Sequence, residues 1–138
     1  MSGRRVLVCD DEPQILRALR IVLREPNAIE DLRSYEGLVS SELIAVEGAR
    51  MIDRLRIQGS LTPDEAGERI RAVNQWIEAI DLVLLRPSVL SRASEPMPIA
   101  IGALDAIHLA TALTWRDRMG PLPEMATHDT ALGTAARV

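Results

Sequence analysis

Val6-Leu7-Val8-Cys9-Asp10-Asp11-Glu12-Pro13 sets four apolar residues in a row, then three acids and a proline. A continuous apolar run of this kind is the pattern of a strand buried on both faces of a parallel sheet. Pro13 suits the first turn of a helix. Ile15, Leu16, Leu19, Val22 and Leu23 follow as an apolar stripe at helical spacing. A buried strand leading into an amphipathic helix predicts an α/β fold with a short central parallel sheet flanked by helices. Acids at the C-terminal end of such a strand stand where open α/β sheets bind their ligands. Capping of the helix by Asp10 or Asp11 is the simpler use of the same residues.

Working outward, Pro26-Asn27 breaks the helix, and residues 27–32 offer a short second one. Leu38-Val39 is a brief strand candidate. Ser40-Ser41 can cap the helix that follows, which runs to about Ile57 before Gly59 stops it. Leu43, Val46, Met51 and Leu55 are its expected buried side, and Glu47, Arg50 and Arg54 its expected solvated row. Thr62-Pro63-Asp64-Glu65 is a capping box with proline at the first helical position. That helix should reach about Ala79, with Ile70, Val73, Trp76, Ile77 and Ile80 at helical spacing. The two long helices predict a hairpin, whose outer face could serve a homodimer. Residues 80–85 read as a strand and Pro87 as the start of a short helix. Met125-Ala126-Thr127 reads as a strand ending at His128-Asp129, and 131–138 as a final alanine-rich helix.

Leu104-Asp105-Ala106-Ile107-His108-Leu109-Ala110-Thr111-Ala112-Leu113 predicts a buried helix beginning near Leu104. It carries a carboxylate and an imidazole where a core helix should be apolar. In the first turn, Asp105 meets unpaired backbone N–H groups and the positive end of the helix dipole. His108, three residues on, projects from the same face.

Composition narrows the possibilities. The 138 residues fit one domain spanning 1–138, and 47% hydrophobic with 26% charged residues is ordinary for a globular chain. Aromatic residues are only 2%, so Leu, Ile, Val and Ala must pack the core. All 16 basic residues are arginine, against 20 acids, giving a net charge of −4. This argues against a general nucleic-acid binder held by a basic surface, but not against a nuclease whose metal site needs carboxylates. Cys9 is the only cysteine, which excludes an internal disulfide and a cysteine-based zinc site. Asp10 and Asp11 interrupt the apolar run after Arg4-Arg5, so no signal peptide is expected there. The longest apolar stretch, residues 99–113, is too short for a bilayer. The expected compartment is the cytoplasm, with no membrane partner.

In a parallel α/β arrangement, Asp10 or Asp11, Glu47, Asp105 and Asp129 could converge at one edge of the sheet. Several ionised carboxylates need a compensating cation. For an all-oxygen site that cation is Mg²⁺ or Mn²⁺. Its use would be to hold a phosphate oxygen and activate a water for in-line attack on phosphorus.

Three blocks then carry a family resemblance: Ser40-Ser41-Glu42-Leu43 with Val46-Glu47, Leu104-Asp105-Ala106-Ile107-His108-Leu109-Ala110, and Ala126-Thr127-His128-Asp129. From Val39 to Arg137 the chain resembles the PIN-domain ribonucleases, in particular the VapC-type toxins of toxin–antitoxin pairs. The resemblance implies a PIN-like three-layer sandwich and a Mg²⁺-dependent endoribonuclease that cuts RNA, is usually dimeric, and is held inactive by a small antitoxin. It implies Glu47, Asp105 and Asp129 as site acids, with Asp105 a metal ligand and Thr127 a supporting hydroxyl. His108 would be mainly structural or help to order Asp105.

Residues 1–25 depart from that pattern. Such toxins usually open with a strand ending in one Asp followed by a small or hydroxyl residue. Here residues 6–24 resemble the start of a response-regulator receiver domain, with Asp10-Asp11-Glu12-Pro13 matching its acidic metal-binding pair. A receiver-like strand and helix would then stand in the place of the first PIN strand. Asp10 would supply the missing acid and Asp11 an additional metal-facing charge. Two alternatives follow: a PIN-like module with impaired catalysis that still binds an antitoxin, and a phosphorylatable receiver. The second lacks support, since Asp53 falls inside a helical pattern and the chain has no lysine.

Overall fold

The computed structural model describes residues 5–8, 37–120, 124–126 and 134–137, with 5–8 and 124–126 as backbone strands. The protein has an α/β fold. Four strands, β1 (Arg5–Val8), β2 (Gly37–Ser41), β3 (Asp81–Val83) and β4 (Glu124–Ala126), form one sheet in the order β3-β2-β1-β4. Every pairing is parallel: Leu7 faces Val39, Val8 faces Ala126, and Ser41 faces Val83. The expected apolar first strand is therefore an interior one. The third strand is shorter than the predicted 80–85, because Leu84 and Leu85 turn away into the next helix. The helix expected after Pro13 and the short one at 27–32 lie outside the described residues.

Two layers of helix cover the sheet. Successive strand residues point to opposite faces, and β2 uses both. Leu38, with Leu82 of β3, packs under Ile44, Met51 and Ile52 of α1 (Leu43–Ile57) and Ala66 and Val73 of α2 (Pro63–Glu78). Val39, with Val83, packs under Leu109 and Ala112 of α4 (Ala103–Met119), joined by Ala135. A short helix, α3 (Pro87–Ala93), lies against α4, and Arg92 Nη1 donates to Asp117 Oδ2 across them at 2.6 Å.

Local sequence accounts for these elements. Ser41 Oγ accepts the Leu43 N–H at 3.2 Å where the chain turns from β2 into α1, although Glu42 occupies the N-cap position. α1 buries Ile44, Gly48, Met51 and Ile52, one stripe at four- and three-residue steps. Val46 was expected in that stripe but is 59% exposed, because it lies two residues round from Ile44 and Gly48. Gly59, at φ +78°, closes the end of α1 in a left-handed conformation that suits glycine. α2 begins with the expected capping box: Thr62 Oγ1 accepts the Glu65 N–H at 3.2 Å, and Glu65 Oε2 accepts the Thr62 N–H at 2.7 Å. α4 is buried on most sides through its middle, as the apolar stretch predicts, and Thr111 satisfies its hydroxyl on Ile107 O at 2.8 Å.

Candidate carboxylate site at the sheet end

The strand order creates a particular place. From β1 the chain builds outward through β2 to β3, then returns to add β4 on the other side of β1. Between β1 and β4 the direction of building reverses, and open α/β sheets bind ligands beyond the C-terminal ends of strands at such a switch. In sequence, Asp10 follows Val8 by two residues and Thr127 directly follows Ala126. Asp10, Asp11, Thr127 and Asp129 themselves lie outside the described residues.

The same order disfavours the receiver alternative. A receiver sheet runs 2-1-3-4-5, which sets its third strand beside β1; here β2 and β4 flank β1. Asp53 sits on α1, held by Arg50 and by Arg56 Nη2 at 2.8 Å, and not at a strand end.

Two expected site residues and the histidine are described. Glu47 leaves the solvated row predicted for it: its side chain is 14% exposed, and its Oε1 lies 2.8 Å from Nε2 of His108. A carboxylate oxygen only accepts, so Nε2 carries the hydrogen. Glu47 belongs to the helix layer on the Leu38 face and His108 to the layer on the Val39 face, so this bond joins the outer layers. The sequence left His108 either mainly structural or an aid to Asp105; the acid it holds is Glu47. His108 is fully buried, and its Nδ1 has no hydrogen-bond partner among the described residues. Asp105 is half-buried in the first turn of α4, behind an N-cap Gly102 that supplies no side-chain cap.

Glu47, His108 and Asp105 do not by themselves form a metal-holding group, nor do any other three His, Cys, Asp or Glu among the described residues. A metal site here needs the acids that follow β1 and β4. The donor chemistry nonetheless fits: Glu47 and Asp105 offer hard carboxylate oxygens, as would Asp10, Asp11 and Asp129, and these suit Mg²⁺ or Mn²⁺.

Glu42 has a structural use that the sequence did not reveal. Its backbone N–H donates to Val83 O at 3.1 Å and its Oε1 accepts the Leu85 N–H at 2.6 Å, which fastens the exit of β3 to the start of α1. A separate cavity of about 250 Å³ opens between β3, α3 and the C-terminal half of α4, lined in part by Leu84, Arg86, Trp115 and Arg118. None of the expected acids lines it. No helix among the described residues is long and apolar enough to cross a membrane. No protein-family model matches the chain, and no curated protein is significantly similar to it.

Proposed function

We propose that this protein is a metal-dependent endoribonuclease of PIN type, a toxin that cleaves RNA phosphodiester bonds and is held inactive by a small antitoxin. The observation that carries the reading is the switch between β1 and β4. It supports one crevice for the acids that follow both strands in sequence. The described Glu47 and Asp105 supplement it, since they lie in the early turns of helices from the two outer layers.

In this reading Asp10, Asp11 and Asp105 hold Mg²⁺ or Mn²⁺, and Glu47 and Asp129 complete the catalytic acids. Bound there, the ion supplies the charge that lets neighbouring carboxylates stay ionised, and it polarises a phosphate oxygen and a water. Asp105 gains from its place in the first turn of α4, where backbone N–H groups and the helix dipole favour the ionised form. Glu47 can orient the attacking water and accept its proton. Thr127 would support Asp129 through its hydroxyl. The α1–α2 hairpin, whose outer face carries exposed Ile57 and Ile70, suits a homodimer contact. We place the protein in the cytoplasm, beside its RNA.

The test is cleavage of single-stranded RNA by the full chain with Mg²⁺ or Mn²⁺. The reading expects cleavage that EDTA abolishes and that Asp105→Asn abolishes. Cleavage that persists in EDTA contradicts it. Capture of an antitoxin without cleavage would favour the binding-only module.

A further inference from the structure

The bond between Glu47 and His108 has a feature that packing does not explain. An apolar side chain of similar volume would fill the same space on α4 without burying a polar ring. His108 instead buries both nitrogens, satisfies Nε2 on Glu47 at 2.8 Å, and leaves Nδ1 without a partner among the described residues. Buried polar groups usually cost stability unless fully paired, and an apolar replacement is often neutral or better. An imidazole buried with one nitrogen on Glu47 and the other without a partner among the described residues points to a use for the bond itself.

That use is visible at the other end. A glutamate side chain turns about three bonds, and on an exposed helix face beside Arg50 it would sample many positions. Here Oε1 is tied to a ring that is fully buried, on a helix whose Leu109 and Ala112 pack against Val39. His108 has almost no freedom of its own, so the bond passes its rigidity to the Glu47 carboxylate. The anchor comes from the opposite helix layer, three residues from Asp105 on the same helix. A shift of α4 would thus move Asp105 and the anchor of Glu47 together.

We propose that His108 is a positioning residue: its Nε2–H fixes the Glu47 carboxylate relative to Asp105. The proposal rests on the nuclease reading above, with His108 acting through Glu47 and not on the substrate.

The experiment compares single-turnover RNA cleavage and Mn²⁺ affinity in the full chain, for wild type, H108L, H108Q, E47Q and the double variant E47Q/H108L. Losing a group that orients a ligand or catalytic acid typically costs about 10- to 100-fold, and H108L should fall in that range. H108Q, whose amide nitrogen can stand where Nε2 stands, should recover most of the loss. In the E47Q background, H108L should change little further. Equal losses from H108L in both backgrounds would show a merely structural role and overturn the proposal, as would wild-type cleavage by H108L. Should H108L fail to fold, H108Q against H108N decides: the shorter Asn amide cannot reach Glu47, so activity equal to H108Q overturns the proposal. A wild type that neither binds Mn²⁺ nor cleaves RNA removes the nuclease reading and this proposal with it. Cleavage indifferent to residue 108 removes this proposal alone.

Discussion

Replacing Glu42 by alanine should loosen the junction between β3 and α1 without touching the candidate site. The side chain contributes one charge-assisted bond, Oε1 to the Leu85 N–H at 2.6 Å, in a half-buried setting. Hydrogen bonds to charged groups contribute about 1.5–3 kcal/mol. Water can reach part of this junction and partly replace the lost acceptor, so the lower end, about 1.5 kcal/mol, applies. For a domain of this length that corresponds to a fall in Tm of about 4–5 °C. Glu42→Gln keeps an acceptor and loses only the charge, so it should fall by about half as much. Thermal unfolding followed by circular dichroism reads both variants. An unchanged Tm in Glu42→Ala would refute the account of the junction. Loss of metal binding as severe as that of Asp105→Asn would refute it differently, by making Glu42 a site acid.

Two further outcomes test the packing and the surface charges. Ile52, 1% exposed between the hairpin and the sheet, should cost about 2–5 kcal/mol when cut to alanine, measured by urea unfolding. Acid should weaken the fold through Asp53, Glu65 and Asp117. Hydrogen bonding to Arg56, to the Thr62 backbone and to Arg92, in that order, holds each carboxyl below its ordinary value. A pKa lowered by folding stabilises the protein above the unfolded value, and that contribution is lost as pH falls through the folded one. Stability should therefore be flat near neutrality and drop below about pH 4, and a midpoint in urea that rises on acidification would contradict this.

The elements that the sequence disclosed are those whose signals are local. The capping box at Thr62–Glu65, the glycine at 59 and the proline at 87 each act within one turn, and each ends or starts a helix where expected. The run at 6–8 and the pair Leu38-Val39 announced strands because interior parallel strands are apolar on both faces. What escaped was long-range. Glu47 stands one turn before Arg50, so its helix alone suggested a solvated ion row; only a partner 61 residues away, on another layer, draws it inward. Distance along the chain also hid the role of Glu42, whose acceptor duty lies 43 residues away. Val46 shows the limit of reading a stripe from apolar residues, since Ile44 and Ile52 define the buried face and leave it outside. For the site, the sequence pointed to the helix that carries Asp105 and His108 and left the histidine structural or an aid to Asp105, but gave no sign of its bond to Glu47.

Calorimetric titration of Mn²⁺ into the wild type and into Asp10→Asn, Asp11→Asn, Asp105→Asn and Asp129→Asn tests the carboxylate site most directly. The account predicts binding by the wild type that Asp105→Asn abolishes, with at least one variant after β1 weakened alongside it. Absence of binding at millimolar Mn²⁺, or binding unchanged by Asp105→Asn, would contradict a metal centre at this end of the sheet.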